Sequence, residues 1–263
     1  SMVGLAIFFL VYAFYGRYFP GLLAHRGYDM VRILEQVYLG ADGIYGTPLG
    51  VSSTFVIIIV VLGALLEKTG ASGVLMDIAV SMTRNSRGGP AKAAVVGSSL
   101  MGMISGTAVA NVLTTGTISI PLMRRGGYRP AVAGAVEAVA STGGQLMPPI
   151  MGAAAFLMAD IMEVPYLDIT KAALLPALLF YIAVFASVHL EAIKTGLKPL
   201  ESIDIPDVAQ SLRNSGHVLL SIPVFIGTLI SGYSVMYSSL AGIICLLALS
   251  PVSYTHLRAH ETS

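Results

Sequence analysis

The sequence predicts an all-α polytopic membrane protein whose middle third carries a re-entrant helical hairpin and a broken transmembrane helix. Three observations predict it. Of the 263 residues, 55% are hydrophobic and only 11% are charged, against roughly 25% charged in soluble domains. Apolar runs of about the 20 residues that a helix needs to cross a bilayer recur along the chain. Further apolar stretches are interrupted part-way by glycine, proline, hydroxyl and amide groups, where a lipid-facing helix would carry Leu or Val.

A net charge of +1 offers no basic face, and no block of like charge marks a tail for a charged macromolecule, so nucleic-acid binding is set aside. The single cysteine, Cys245, lies in an apolar run and reads as a small packed hydrophobe. The first segment, "SMVGLAIFFLVYAFYGRYFP", has no basic n-region and no small-residue cleavage site. It is not a signal peptide and reads as a chain cut from a longer one.

Taken in order, full-length spans are expected at 2–19, 48–66, 167–190, 217–231 and 233–250. Residues 71–83 place Val74, Leu75, Ile78 and Met82 on one face and Asp77 and Ser81 on another, which suits an interfacial helix. Basic residues cluster at Arg84, Arg87 and Lys92, at Arg124, Arg125 and Arg129, and at Lys194 and Lys198. The positive-inside tendency puts all three clusters on the cytoplasmic side. Segment 93–123 must then enter and return, and its length is short of the roughly 40 residues that two crossings need. A re-entrant hairpin with its tip at "ISGTA" resolves this. Residues 130–141 form a half-length helix, "TGGQLMPP" breaks it, and 150–163 continues it. Arg17, Arg26 and Arg32 lie among Asp29, Glu35 and Asp42, which leaves the sidedness of 2–66 open.

The chemistry concentrates at the interruptions. A tip of Ser105, Gly106 and Thr107 offers hydroxyls and freed carbonyls, which hard cations such as sodium accept. A helix N-terminus near Thr107 favours anionic groups. Two broken elements meeting at mid-membrane mark the binding sites of secondary transporters. Small residues and hydroxyls also serve close helix packing, so each of them alone carries a packing reading. For Asn111, structural and ion-site roles stand open together, and Glu137, inside the first half of the broken helix, is either a coupling group or within snorkelling reach of Arg125 or Arg129. Glu67, Asp77, Asp160, Glu163 and Asp168 fall near expected interfaces, where solvation accounts for them, and Tyr233 and Tyr237 read as interfacial aromatics.

Catalytic patterns are poor: there is no HExxH, paired-cysteine spacing or phosphate loop. An intramembrane hydrolase would need a serine beside a histidine, and His25, His189 and His217 fall at segment ends. The end of the chain, "PVSYTHLRAHETS", places His256 and His260 at i, i+4 beside Glu261, a possible zinc spacing. It resembles translated adapter sequence, so no metal site is expected there.

"GTPLGVSSTFVIIIVVLGALLEKTG" together with "GMISGTAVANVLTTGTISIPLMRRGGYRPAVAGAVEAVASTGGQLMPPIMGAAAFLMAD" resembles the fused membrane permease of tripartite ATP-independent periplasmic (TRAP) transporters, most closely the branch that works with TAXI-type binding proteins. The resemblance covers about residues 2–250. It implies an elevator-type secondary transporter of the bacterial or archaeal inner membrane, with no organic cofactor, sodium as coupling ion, a periplasmic TAXI-type binding protein that delivers an organic anion such as a carboxylate, and a fused small membrane domain as partner. It assigns the ion and substrate site to Ser105, Gly106, Thr107 and Asn111 at the hairpin tip, and to Thr142, Gly143, Gly144, Pro148 and Pro149 within the loop from Ser141. Many relatives carry a hydroxyl where this chain has Ile150, which moves weight to backbone carbonyls and Thr142.

The family is built from two inverted repeats. The expected organisation is therefore an N-terminal transmembrane segment and connector at 1–47, a first repeat at 48–200 with its hairpin at 90–124 and broken helix at 130–164, the start of a second repeat at 201–250, and a non-native tail at 251–263. On that reading the polypeptide does not transport by itself. A binding-protein-independent elevator-type anion transporter is the alternative, with the intramembrane hydrolase behind it.

Overall fold

A computed structural model of the chain describes residues 2–40, 43–197 and 208–260, with side chains described through Leu249. The expected boundary at 200/201 and the side chains of the 251–263 tail lie outside what is described. Among the described residues every regular element is helical, and the chain divides into two compact units, residues 1–53 and 54–263.

In the first unit, α1 (Met2–Tyr15) passes through short 3-10 turns to α2 (Met30–Leu34), a π turn (Glu35–Leu39) and α3 (Thr47–Val51). No residue of α1 is buried, and its Phe and Leu side chains form an outward apolar surface suited to lipid. The end of α1 is tied down locally. Tyr12 donates its hydroxyl to Leu23 O (2.7 Å), and His25 accepts from Gly27 N–H at Nδ1 (3.1 Å) while its Nε2 lies 3.1 Å from Tyr12 O. That pairing fixes the ring tautomer, with the proton on Nε2. The imidazole rests on Gly16, where a Cβ would lie 1.9 Å from it.

The second unit holds the remaining elements. A π turn (Ser52–Val56) leads to α4 (Ile57–Lys68). Two helical runs are long and apolar enough to cross a membrane, Thr47–Lys68 with 22 residues and Tyr166–Lys194 with 29. After Gly70, whose φ of +90° only glycine adopts freely, comes α5 (Ala71–Thr83).

This helix corrects the interfacial reading. Its buried face keeps Val74 and Leu75 of the expected stripe and adds Met76, Ala79, Val80 and Thr83, while Ile78 is only partly buried and Met82 is 72% exposed. The reason is a partner: Met76, Ala79 and Val80 pack on Ala93 of the next helix, and Met76 lies over Gly97, which leaves room for it. Asp77 accepts a hydrogen bond from Ser211 (2.5 Å), so protein as well as solvent satisfies it.

The hairpin is α6 (Gly89–Ser105) and α7 (Ala108–Arg125), joined at Gly106 and Thr107. At 1.5 Å per residue the arms are about 25 and 27 Å long, below the roughly 30 Å of a hydrocarbon core. Gly106 closes α6 in the left-handed conformation (φ +60°), its N–H bonded to Gly102 O, and Thr107 caps α7 by accepting from Ala110 N–H (3.3 Å).

The broken helix follows as α8 (Pro130–Thr142), a 3-10 turn (Gly143–Gln145), irregular backbone through Gly152, and α9 (Ala153–Ile161). Then come α10 (Tyr166–Lys194), α11 (Val208–Ser215), α12 (Ser221–Ile230) and α13 (Val235–His260). The helix thus runs past Ser250, where the last span was expected to end.

The core that positions the site is built from α6, α8 and α10. Ala91, Ala94 and Val95 meet Ala133 and Ala140 and also Tyr181, Val188 and Ala192, with Met123 and Tyr128 closing one end. Small side chains dominate because, in lipid, helices gain association by close van der Waals approach rather than by escape from water. Tyr181 donates to Ala140 O (3.0 Å), and Tyr128 reaches Gly88 O (3.4 Å).

Candidate functional site

Glycine contacts lay the hairpin on the break. A Cβ added to Gly102 would lie 2.3 Å from the Cα of Gly144, and one added to Gly106 would lie 2.2 Å from Met151 O. The two interrupted elements therefore meet backbone to backbone. Gly143 faces the other way, onto the Phe180 and Tyr181 rings of α10, where a Cβ would come within 2.2 Å of Phe180 Cε1.

Beneath these contacts lies a fully enclosed polar cluster. Glu137, with no exposed surface, turns its carboxylate toward four hydroxyls from three helices. Its Oε1 lies 2.5 Å from Thr115 Oγ1, 2.9 Å from Ser141 Oγ and 3.3 Å from Ser98 Oγ, and Ser119 donates to Oε2. Three of these hydroxyls converge on Oε1 and one on Oε2, and Thr115 Oγ1 also lies 2.8 Å from Asn111 O. Among the described residues no arginine pairs with it, which corrects the snorkelling alternative: neighbouring hydroxyls, not Arg125 or Arg129, satisfy the group.

Asn111, also fully buried, donates from its amide to Ser98 O (2.9 Å) and Ser141 O (3.4 Å), stitching α7 to α6 and α8. Left without those partners, such an amide would cost about 1–3 kcal/mol.

The other expected residues separate. Ser105 lies at the tip with its hydroxyl oxygen buried and without any hydrogen-bond partner. It touches no histidine, so the serine–histidine contact that a hydrolase needs is not made there. Thr107 spends its oxygen on the α7 cap. Thr142 is exposed and bonds back to Ala138 O (2.7 Å) in its own helix, so it does not join Ser105 or Asn111. Pro148 and Pro149 are buried. The carbonyls of Pro149 and Ile150 accept from the Tyr166 hydroxyl at 2.8 and 2.5 Å, and the Tyr166 ring stacks on Phe156 with centroids 4.4 Å apart.

Tyr166, Ser98, Thr115 and Ser119 were not singled out as site residues. The signal for two of them was present: Asn111, Thr115 and Ser119 fall at i, i+4 and i+8, one polar stripe on an otherwise apolar helix. Glu67, expected to be solvated, is half-buried and accepts from Thr114 of the hairpin.

Two helix N-termini, at Ala108 and Ala153, lie beside the contact of Gly106 with Met151, and their dipoles favour negative charge. A cleft between α9, α10, α12 and α13, about 680 Å³, carries Asp160 and Glu163 on mostly apolar walls. Its charge is wrong for an anion. Among the described residues no cluster of three metal-ligating side chains occurs.

Known proteins place this architecture. A family model described as "Tripartite ATP-independent periplasmic transporter, DctM component" matches residues 1–263. The C4-dicarboxylate TRAP transporter large permease protein DctM of Pseudomonas aeruginosa is 29% identical over 170 residues, 65% of this chain and 39% of that protein. The uncharacterized protein YgiK of Salmonella typhimurium is 26% identical over 194 residues, 73% and 44% of the two chains. The uncharacterized protein y4mL of Sinorhizobium fredii is 32% identical over 105 residues, 40% and 25%. The aligned region thus spans less than half the length of each of these relatives. The chain, a multi-pass inner-membrane protein, belongs to the DctM component family of tripartite ATP-independent periplasmic transporters.

Proposed function

We propose that this chain supplies one half of the ion and substrate site of a secondary active permease. That permease imports an organic anion, a small carboxylate, handed over by a periplasmic TAXI-type binding protein, with a fused small membrane domain as its further partner. The observation that carries the reading is the meeting of the hairpin tip with the break at Gly106 and Met151, beside a Ser105 hydroxyl that has no partner. A buried hydroxyl left unmatched by protein is an open ligand position. Freed carbonyls suit sodium, and the two helix N-termini suit a carboxylate. The P. aeruginosa relative bears the name of a C4-dicarboxylate permease, in keeping with that substrate class. One hairpin and one broken helix make half of such a site, so transport requires a second pair.

The test reconstitutes a full-length permease containing this repeat with its binding protein. Uptake of labelled carboxylates is followed with and without a sodium gradient, in the parent and in a Ser105→Ala, Asn111→Ala variant. Sodium-dependent uptake that disappears in the variant supports the reading. Uptake indifferent to sodium and to both substitutions returns the tip to packing and moves coupling to Glu137.

A further inference from the structure

A second unmatched feature lies away from the hairpin tip, between α6 and α10. Lys92, the fourth residue of α6, is only 4% exposed, and among the described residues no carboxylate pairs with it. Its ammonium lies over the Phe185 ring, 5.2 Å from the centroid. That contact returns part of the lost hydration but leaves the charge uncompensated. The same groove, about 500 Å³, receives His189 from α10, whose Nδ1 is buried without a hydrogen-bond partner. The Lys92 side chain and the His189 imidazole thus line one groove, with no carboxylate shown against either among the described residues.

The walls and the depth identify the occupant. Leu178 and Ile182, further along α10, line the groove and are exposed, an apolar flank open to acyl chains. Lys92 sits one turn inside the start of α6, and His189 about as far inside the end of α10. Both are therefore at the level of the exposed arginines Arg84, Arg87, Arg124 and Arg125 at the same end of the hairpin. A phosphate at headgroup depth with hydrocarbon below it matches charge, hydrogen bonding and apolar surface together. A free phosphate would use the first two and waste the third.

We propose that this groove binds the phosphate of an anionic phospholipid, with Lys92 as the counter-charge, the His189 imidazole as donor, and the exposed flank of α10 against the acyl chains. The site is separate from the hairpin tip, and nothing in it depends on the transport reading.

Native mass spectrometry of the purified full chain tests it, in detergent supplemented with phosphatidylglycerol, with phosphatidylcholine of the same chains, or with inorganic phosphate alone. The expected result is one phosphatidylglycerol retained under activation that strips phosphatidylcholine, with no adduct from inorganic phosphate. Lys92→Met should weaken retention about tenfold, the loss of one charge-assisted hydrogen bond. Lys92→Arg should keep it, and His189→Leu should lower it. Helical circular dichroism identifies any variant that fails to fold, in which case Lys92→Arg and His189→Leu decide. Equal retention of both lipids, unchanged retention in His189→Leu and Lys92→Met, or an inorganic phosphate adduct as stable as the lipid would overturn the proposal.

Discussion

Gly102 of α6 and Gly144 of the break touch through their backbones, so that a Cβ on Gly102 would lie 2.3 Å from Gly144 Cα. No flexible side chain can give way at this point. Gly102→Ala must push the hairpin off the broken helix, at about 1–3 kcal/mol for overpacking of this kind. Gly134, in α8, has open space around its Cβ position, so Gly134→Ala should be neutral or stabilising by up to about 1 kcal/mol. Unfolding in mixed micelles compares the two. Equal behaviour would mean that the interface is loose enough to absorb a methyl group.

Glu137 organises the cluster below that contact. Glu137→Ala takes the shown acceptor from the buried hydroxyls of Ser119 and Ser141 and leaves Thr115 only Asn111 O and Ser98 only Thr115, and its expected cost is about 3–5 kcal/mol, as for breaking a buried polar network. Glu137→Gln keeps one acceptor oxygen and the shape, and should cost no more than about half as much. The same unfolding measurement decides, and the order Gln milder than Ala is the informative part.

Tyr166 holds the break open from the far side. Tyr166→Phe keeps the stack on Phe156 and removes the hydroxyl that serves Pro149 O and Ile150 O. The expected loss is about 1–2 kcal/mol, with amide exchange rising at residues 146–152 while α8 stays protected. Hydrogen exchange read by mass spectrometry resolves those segments, and uniform exchange in variant and parent would count against the role.

Tyr128, in the basic turn after the hairpin, supplies a pH effect. Burial, and secondarily the nearby Glu191 carboxylate, pushes its phenol from 10.0 up to about 12. The folded state therefore prefers the neutral phenol more strongly than the unfolded chain does. That contribution is complete below pH 10 and disappears as pH rises from 10 to about 12. Tyr128→Phe should make stability less sensitive to alkali in that window, measured as the unfolding midpoint against pH with phenolate absorbance as the titration signal.

Much of the architecture was legible along the chain. Two glycine-rich interruptions, the Pro148–Pro149 pair and three basic clusters put the turns where helices end, because Gly106, Thr107 and the Gly143–Gly152 break are local backbone events. The α5 face is legible in part: Val74 and Leu75 are buried as the stripe implies, but Met76 rather than Met82 turns inward because of a neighbour, Gly97, that only packing supplies. Thr142, expected at the site from its position in the loop, bonds back to Ala138 O within its own helix, a contact the sequence does not show.

The sequence by itself determined a helical membrane protein with a hairpin tip within "ISGTA" and an interrupted helix, because apolar length and backbone chemistry are properties of short segments. Only the tertiary structure decided that Glu137 is answered by Ser98, Thr115, Ser119 and Ser141, that Gly102 meets Gly144, that Ser105 Oγ has no hydrogen-bond partner and that Lys92 meets a ring rather than a carboxylate. Those relations join residues far apart in the chain, and a buried polar group shows what satisfies it only when the helices that carry its partners are brought together.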